Sequence, residues 1–160
     1  MTPDSETPDS SAMRGRVWRY APLVLWMCLI FFASTGELSA SNTSRIVRPL
    51  LLWLFPDISE GRIELAHFLV RKAGHFTEYA ILAFLAARAL STSFHDALRR
   101  RWFYVSLLII IIYALSDEFH QSFVPSRTAS IYDSMIDIAG GLTALLWFAL
   151  RRRRKRLEAG

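Results

Sequence analysis

The sequence predicts an all-α membrane protein with four transmembrane helices and an amphipathic interfacial segment between the first and the second. Three observations lead there. The apolar residues gather in four blocks, and an α-helix needs about 20 residues to cross a hydrocarbon core of about 30 Å. The 160-residue chain is 52% hydrophobic and only 21% charged, with a mean hydropathy of +0.26, more apolar than a soluble domain of this length normally is. The basic residues sit at the ends of the apolar blocks, where they act as topology signals.

Residues 1–13 repeat the string TPDS and hold Pro, Ser and acids with almost nothing to bury, so a disordered cytoplasmic tail is expected. Arg14, Arg16 and Arg19 then precede Tyr20 to Gly36, seventeen residues without a charge. No A-x-A cleavage pattern follows Phe32, which favours an uncleaved first span over a signal peptide. The small polar cluster Ser34 to Ser39 suits a turn at the membrane surface. Ile46, Val47, Leu50, Leu51, Leu54 and Phe55 recur at three-to-four spacing. That pattern predicts an amphipathic helix at 43–55, too short to span and suited to the outer interface.

Pro56 and Asp57 end that helix, and Asp57 or Ser59 can cap the next, which should start near Arg62 and run on into a second span at 72–90. Ser91 to Arg101 reads as a polar turn. The third span is expected from Trp102 to about Phe119, with no charge between Arg101 and Asp117. A loop containing Pro125, Ser126 and Arg127 leads to a fourth span at 131–150, stopped by six consecutive bases, Arg151 to Arg156. The membrane domain is therefore placed at 14–150, with 151–160 as a basic cytoplasmic tail.

On this topology thirteen Lys and Arg fall on the side of the termini, and six (Arg45, Arg48, Arg62, Arg71, Lys72 and Arg127) on the other. The positive-inside rule puts both termini in the cytoplasm, for a multi-pass protein of the inner (plasma) membrane. Trp18, Trp102 and Trp147 all fall near the cytoplasmic ends of their spans, as an aromatic belt does. Placed this way, the basic residues behind a pI of 9.9 do not call for a nucleic-acid partner. The single cysteine, Cys28, excludes a disulfide framework and a thiolate zinc site.

Ionisable residues inside the spans collect at the outer ends of the second, third and fourth helices. Glu78 and Asp137 each lie six residues inside their boundaries, roughly 9 Å deep at about 1.5 Å per residue. Asp117, Glu118 and His120 end the third span beside His75 and Asp133. An acid in a span costs about 2.5–3.5 kcal/mol at the helix centre and faces a partner or water. His75 and Glu78 are i,i+3, Asp133 and Asp137 are i,i+4, and Asp117 and His120 are i,i+3, so each pair shares a helix face. Lys72, Arg71 and Arg127 supply compensating charge. Gly140, Gly141 and Ala144 continue the Asp133/Asp137 face with small residues that admit close helix packing, so this face should point into the bundle. His67 is expected at the interface and His95 in solvent.

The string Arg71-Lys-Ala-Gly-His75-Phe-Thr-Glu78-Tyr79-Ala-Ile-Leu82, the string Tyr113-Ala-Leu-Ser-Asp117-Glu118-Phe-His120-Gln121-Ser-Phe-Val-Pro125-Ser-Arg127-Thr-Ala-Ser130, and Asp133 to Asp137 followed by Gly140 together resemble the VanZ-like family, over roughly residues 20–150. Ser126 departs from the pattern, standing where a glycine is expected in the turn before Arg127. The family is named for a membrane protein that confers low-level resistance to the glycopeptide teicoplanin. The resemblance therefore implies a protein of the cell envelope with a possible part in antibiotic resistance.

Lys72, His75, Glu78, Tyr79, Asp117, Glu118, His120, Gln121, Arg127, Asp133 and Asp137 then form one outward-facing polar pocket or network. It admits three readings. One is an ion-pair network that fixes helix packing. Another is a binding site for an anionic lipid, cell-wall precursor or glycopeptide, with the bases on anionic groups and the acids on amines. The last is a metal- or acid/base-dependent hydrolase. The chain has no HExxH sequence, no GxSxG elbow and no phosphate-cradling glycine loop, so no cofactor, metal or catalytic residue is assigned, although His75 and Glu78 have the spacing used in metal-binding bundles. A transporter of four spans without an inverted repeat would need to oligomerise. A binding role, with the bilayer as first partner, is the reading the sequence favours.

Overall fold

A chain segment in lipid must satisfy its backbone hydrogen bonds internally, and helices do so turn by turn. The computed structural model describes the backbone of residues 10–34, 40–124 and 130–160, and side chains within 14–34, 45–124 and 130–160. Among the described residues it is all helical: α1 (Ser10–Ser34), α2 (Ala40–Leu54), α3 (Glu60–Ser91), α4 (Asp96–Arg100), α5 (Trp102–Gln121) and α6 (Ile131–Glu158). Residues 1–9, most of the Ser34 to Ser39 cluster, and Arg127 lie outside the described residues. α1 begins at Ser10, four residues before the first arginine, and α6 continues through the whole basic run.

Among the described residues, three helices are long and apolar enough to cross a membrane, within Arg14–Ser34, Trp102–Gln121 and Ile131–Glu158. The expected second span, 72–90, forms part of one unbroken helix, α3, but does not reach that apolarity. The reason lies in its position. α3 packs against α1, α2, α4, α5 and α6 and buries His75, Tyr79, Leu82, Ala83, Ala86, Ala87 and Ala89. A central helix needs small and polar residues for its neighbours, whereas apolar bulk is needed where lipid is the solvent. Accordingly, large apolar side chains stand exposed on the outer helices, among them Leu25 and Phe32 on α1, Leu108 and Ile112 on α5, and Leu146 and Leu150 on α6.

The closest packing joins α3 to α6. A Cβ at Gly140 would overlap the backbone of Phe76, and one at Gly141 would meet the Ile110 side chain at 2.8 Å. The small-residue face of α6 therefore does turn inward, carrying Asp133, Ser134 and Asp137 with it. α1 is fastened by side chains: the Trp26 indole donates to the Glu78 carbonyl (2.9 Å), and the Tyr113 hydroxyl to the Met27 carbonyl (2.5 Å).

The polar turn at 91–101 contains α4, whose Asp96 and Arg99 pair at i,i+3. Here the start of α1, the α3-to-α5 connection and the end of α6 come together. The Tyr20 hydroxyl donates to Ser93 Oγ (3.0 Å), Arg19 lies over the Phe94 ring, and Arg152 reaches the Ser91 carbonyl (3.4 Å) and the Trp102 ring. A cavity of about 350 Å³ lined by Arg99, Arg100, Trp102, Arg152 and Arg156 opens at this end.

At the other end, α2 is tied to the start of α3 by a two-pronged ion pair, Arg48 to Glu60 (2.7 and 2.6 Å). Ile46, Leu50, Trp53 and Leu54 of α2 are exposed.

Candidate functional site

Among the described residues, the buried ionisable side chains lie away from the arginine-rich end. They come from α3, α5 and α6, the three helices with the most extensive mutual packing. His75 projects from α3, Asp117, Glu118 and Gln121 from the last turns of α5, and Asp133 and Asp137 from the first turns of α6; all six are buried. The i,i+4 step from Asp117 to Gln121 and from Asp133 to Asp137 keeps each pair on one inward face. Ser130 caps α6, its side chain accepting from the Tyr132 N–H (3.3 Å), while its own N–H donates to Glu118 Oε2 (2.7 Å). Glu118 thus joins the end of α5 to the start of α6.

Two charged contacts cross from α3 to α6. Lys72 forms an ion pair and hydrogen bond with Asp133. One turn deeper, His75 Nδ1 lies 3.3 Å from Asp137 Oδ1. That separation is within ion-pair range, but the two atoms are not aligned as a hydrogen bond, and neither has another hydrogen-bond partner. On α5, Asp117 accepts from Gln121 Nε2 (2.9 Å), which also points to Ser34 Oγ of α1 at 3.5 Å. His75, Asp117 and Asp137 can each present one ligand atom such that all lie within 4.8 Å of one another.

Several buried polar atoms here have no hydrogen-bond partner: both oxygens of Asp137, Glu118 Oε1, Gln121 Oε1, the Tyr79 hydroxyl and His75 Nδ1. Interiors normally satisfy such groups. A cluster with free acceptors and an imidazole at its centre can receive a cation or a donor-rich head group, or relay a proton.

Of the residues singled out by sequence, His75, Tyr79, Asp117, Glu118, Gln121, Asp133 and Asp137 are buried, and Lys72 joins them through Asp133. Glu78 is half-buried, and the residue of α3 at ion-pair distance from Asp137 is His75. His120 turns toward α1 and stacks on Phe31, with 4.7 Å between ring centroids. Arg127 lies outside the described residues. Sequence reasoning did not single out Ser34, Ser130 or Ser134 as members of this network. Ser134 is buried and donates to the Ala114 carbonyl (3.4 Å). Ser130 carries a legible signal, a serine immediately before a periodic apolar segment.

The chain belongs to the VanZ/LLP1 family, whose model matches residues 20–152. The match spans every element of the polar cluster and stops within the basic run. No curated protein and no solved structure is significantly similar to the chain.

Proposed function

We propose that this VanZ-family membrane protein binds the polar head of an envelope amphiphile in the cluster between α3, α5 and α6. The ligand class is an anionic lipid, a cell-wall precursor or a glycopeptide antibiotic of the teicoplanin kind. The observation that carries this reading is the set of buried polar atoms left without partners on Tyr79, Glu118, Gln121 and Asp137. A network that served only to hold helices together would satisfy its own donors and acceptors, because each unpaired buried group costs about 1–3 kcal/mol. Groups left open in this way are fitted to something that arrives from outside.

The same reading makes α3 the fourth span. Its 32 residues extend roughly 48 Å at about 1.5 Å per residue, enough to cross, and Lys72 and His75 are paired with carboxylates of α6. The arginine-rich end supports an inner-membrane orientation with both termini cytoplasmic. On that orientation the cluster lies toward the outer leaflet, where envelope ligands are met. α2, with its exposed apolar residues, is suited to lie along that outer surface.

The test is thermal unfolding in detergent of the wild type and of Glu118→Gln, which keeps an acceptor for the Ser130 N–H. Each is measured with and without phosphatidylglycerol, a lipid-linked cell-wall precursor and teicoplanin. A rise in Tm with one additive, smaller in the variant, is the expected result. No shift with any additive, together with a lower Tm for the variant, would make the cluster a structural network and overturn the proposal.

A further inference from the structure

We infer that His75, Asp117 and Asp137 bind a divalent transition-metal ion, one ligand from each of α3, α5 and α6. The inference rests on the reading of this cluster as a ligand site rather than a structural network, and it adds a cation to that site. The geometry is compact. The three prospective ligand atoms lie within 4.8 Å of one another and all three residues are buried. A metal ion with bonds of about 2.1 Å separates its ligand atoms by roughly 3–4.2 Å, so modest side-chain rotation closes the shell around one point.

An independent observation points the same way. Asp137 is 0% exposed, and neither of its oxygens has a hydrogen-bond partner. His75 Nδ1 is equally unpartnered although it stands 3.3 Å from Asp137 Oδ1. Nδ1 and Oδ1 meet at ion-pair distance, which leaves Asp137 Oδ2 as a fully buried acceptor with no hydrogen-bond partner of its own. Two carboxylates and a neutral imidazole carry a net charge that a divalent ion cancels, which removes the cost of holding like charges together away from water. Lys72 does not meet that need, being paired with Asp133.

The donor set narrows the ion. One imidazole nitrogen and two carboxylate oxygens suit Zn²⁺, Mn²⁺ or Fe²⁺, while thiolate chemistry is absent because Cys28 is exposed on α1. Gln121 Nε2 holds Asp117 Oδ2 at 2.9 Å, the outer hydrogen bond that commonly orients a ligating carboxylate. Three protein ligands leave a position open on the ion, where an anionic oxygen of the amphiphile head group completes the shell.

The experiment uses the full-length protein in detergent after chelator treatment. Zn²⁺ and Mn²⁺ are titrated in, with bound metal counted by mass spectrometry of the eluted protein and Tm followed in parallel. The expected result is one ion per chain and a raised Tm, both lost in Asp137→Asn and Asp117→Asn and kept in His95→Gln at the other end of the bundle. If the aspartate variants fail to fold, Co²⁺ added to the wild type decides: ligand-field bands of a nitrogen- and oxygen-ligated site support the inference, and the spectrum of the free aqueous ion overturns it. Wild type without stoichiometric metal also overturns it. Amphiphile binding that persists in chelator with no metal uptake removes the ion and leaves the pocket standing. Metal uptake without amphiphile binding retains the ion and removes the pocket's proposed ligand.

Discussion

Lys72 and Asp133 pair across the α3/α6 interface one helical turn from the approach of His75 to Asp137. The two contacts form parallel rungs between the same helices, yet only the first is closed by a hydrogen bond. The first rung joins a fixed cation to a buried carboxylate, and substitution of either partner should expose that balance.

Lys72→Met leaves the Asp133 carboxylate buried without its cation. The expected loss is on the order of 3 kcal/mol in unfolding free energy, as for other buried pairs broken from one side. Lys72→Met combined with Asp133→Leu should recover most of it, since an apolar pair of similar volume carries no desolvation cost. Denaturant titration in detergent checks both. A double variant no more stable than Lys72→Met would argue that the pair does more than balance charge.

Gly140→Ala should be far more damaging than Gly141→Ala. At 140 the new methyl falls on the Phe76 backbone, whereas at 141 it meets Ile110 side-chain atoms that can rotate away. Overpacking of this kind costs about 1–3 kcal/mol, so Gly140→Ala belongs at or above the upper end and Gly141→Ala at the lower. Comparing their melting temperatures is sufficient, and equal effects would mean that the helices separate as easily as a side chain turns.

Tyr113→Phe and Trp26→Phe each remove one hydrogen bond that holds α1 to the bundle. Each should cost about 1 kcal/mol, and together they should raise amide exchange in α1 more than in α3 or α6. Uniform acceleration across all helices would show that α1 is not a separable layer.

The pairing of Arg48 with Glu60 gives a pH dependence. The hydrogen bond from Arg48 holds the Glu60 carboxyl below the ordinary carboxylate range, and Glu60 in turn raises Arg48. A depressed carboxylate pKa contributes above the free value and is lost as pH falls through the bound one. The tether from α2 to α3 should therefore hold at neutral pH and release in acid, with little change in the melting of the bundle. Proteolysis at 55–60 followed against pH checks this, with Glu60→Gln expected to be cut at every pH.

Much of the architecture was legible because lipid enforces a simple pattern. α1, α5 and α6 announce themselves as apolar runs ended by arginine or turn residues, and the long helix through Ile63 to Leu90 follows from unbroken helical spacing. Its central place was not legible, because hydropathy reports what faces lipid, and the half of α3 from Tyr79 to Ser91 is mostly buried against protein. The site shows the same division. That Asp117, Asp133 and Asp137 would be buried together followed from the cost of acids in spans. Which residue of α3 would meet Asp137 did not, since Glu78 matches it in depth but the rotation of α3 presents His75. Ser34 and Ser134 were missed because a hydroxyl carries no charge to make its burial conspicuous.

The contact of Gly140 with the Phe76 backbone also limits how the molecule can move. With no side chain between them, α3 and α6 cannot roll or slide past each other without one main chain riding over the other. These two helices act as a fixed frame, with His75 and Asp137 mounted on it. α5 meets the same frame through side chains, Ile110 against Gly141 among them. Asp117 and Glu118 therefore stand on the side of the cluster held by side-chain contacts, and His75 and Asp137 on the side held main chain to main chain.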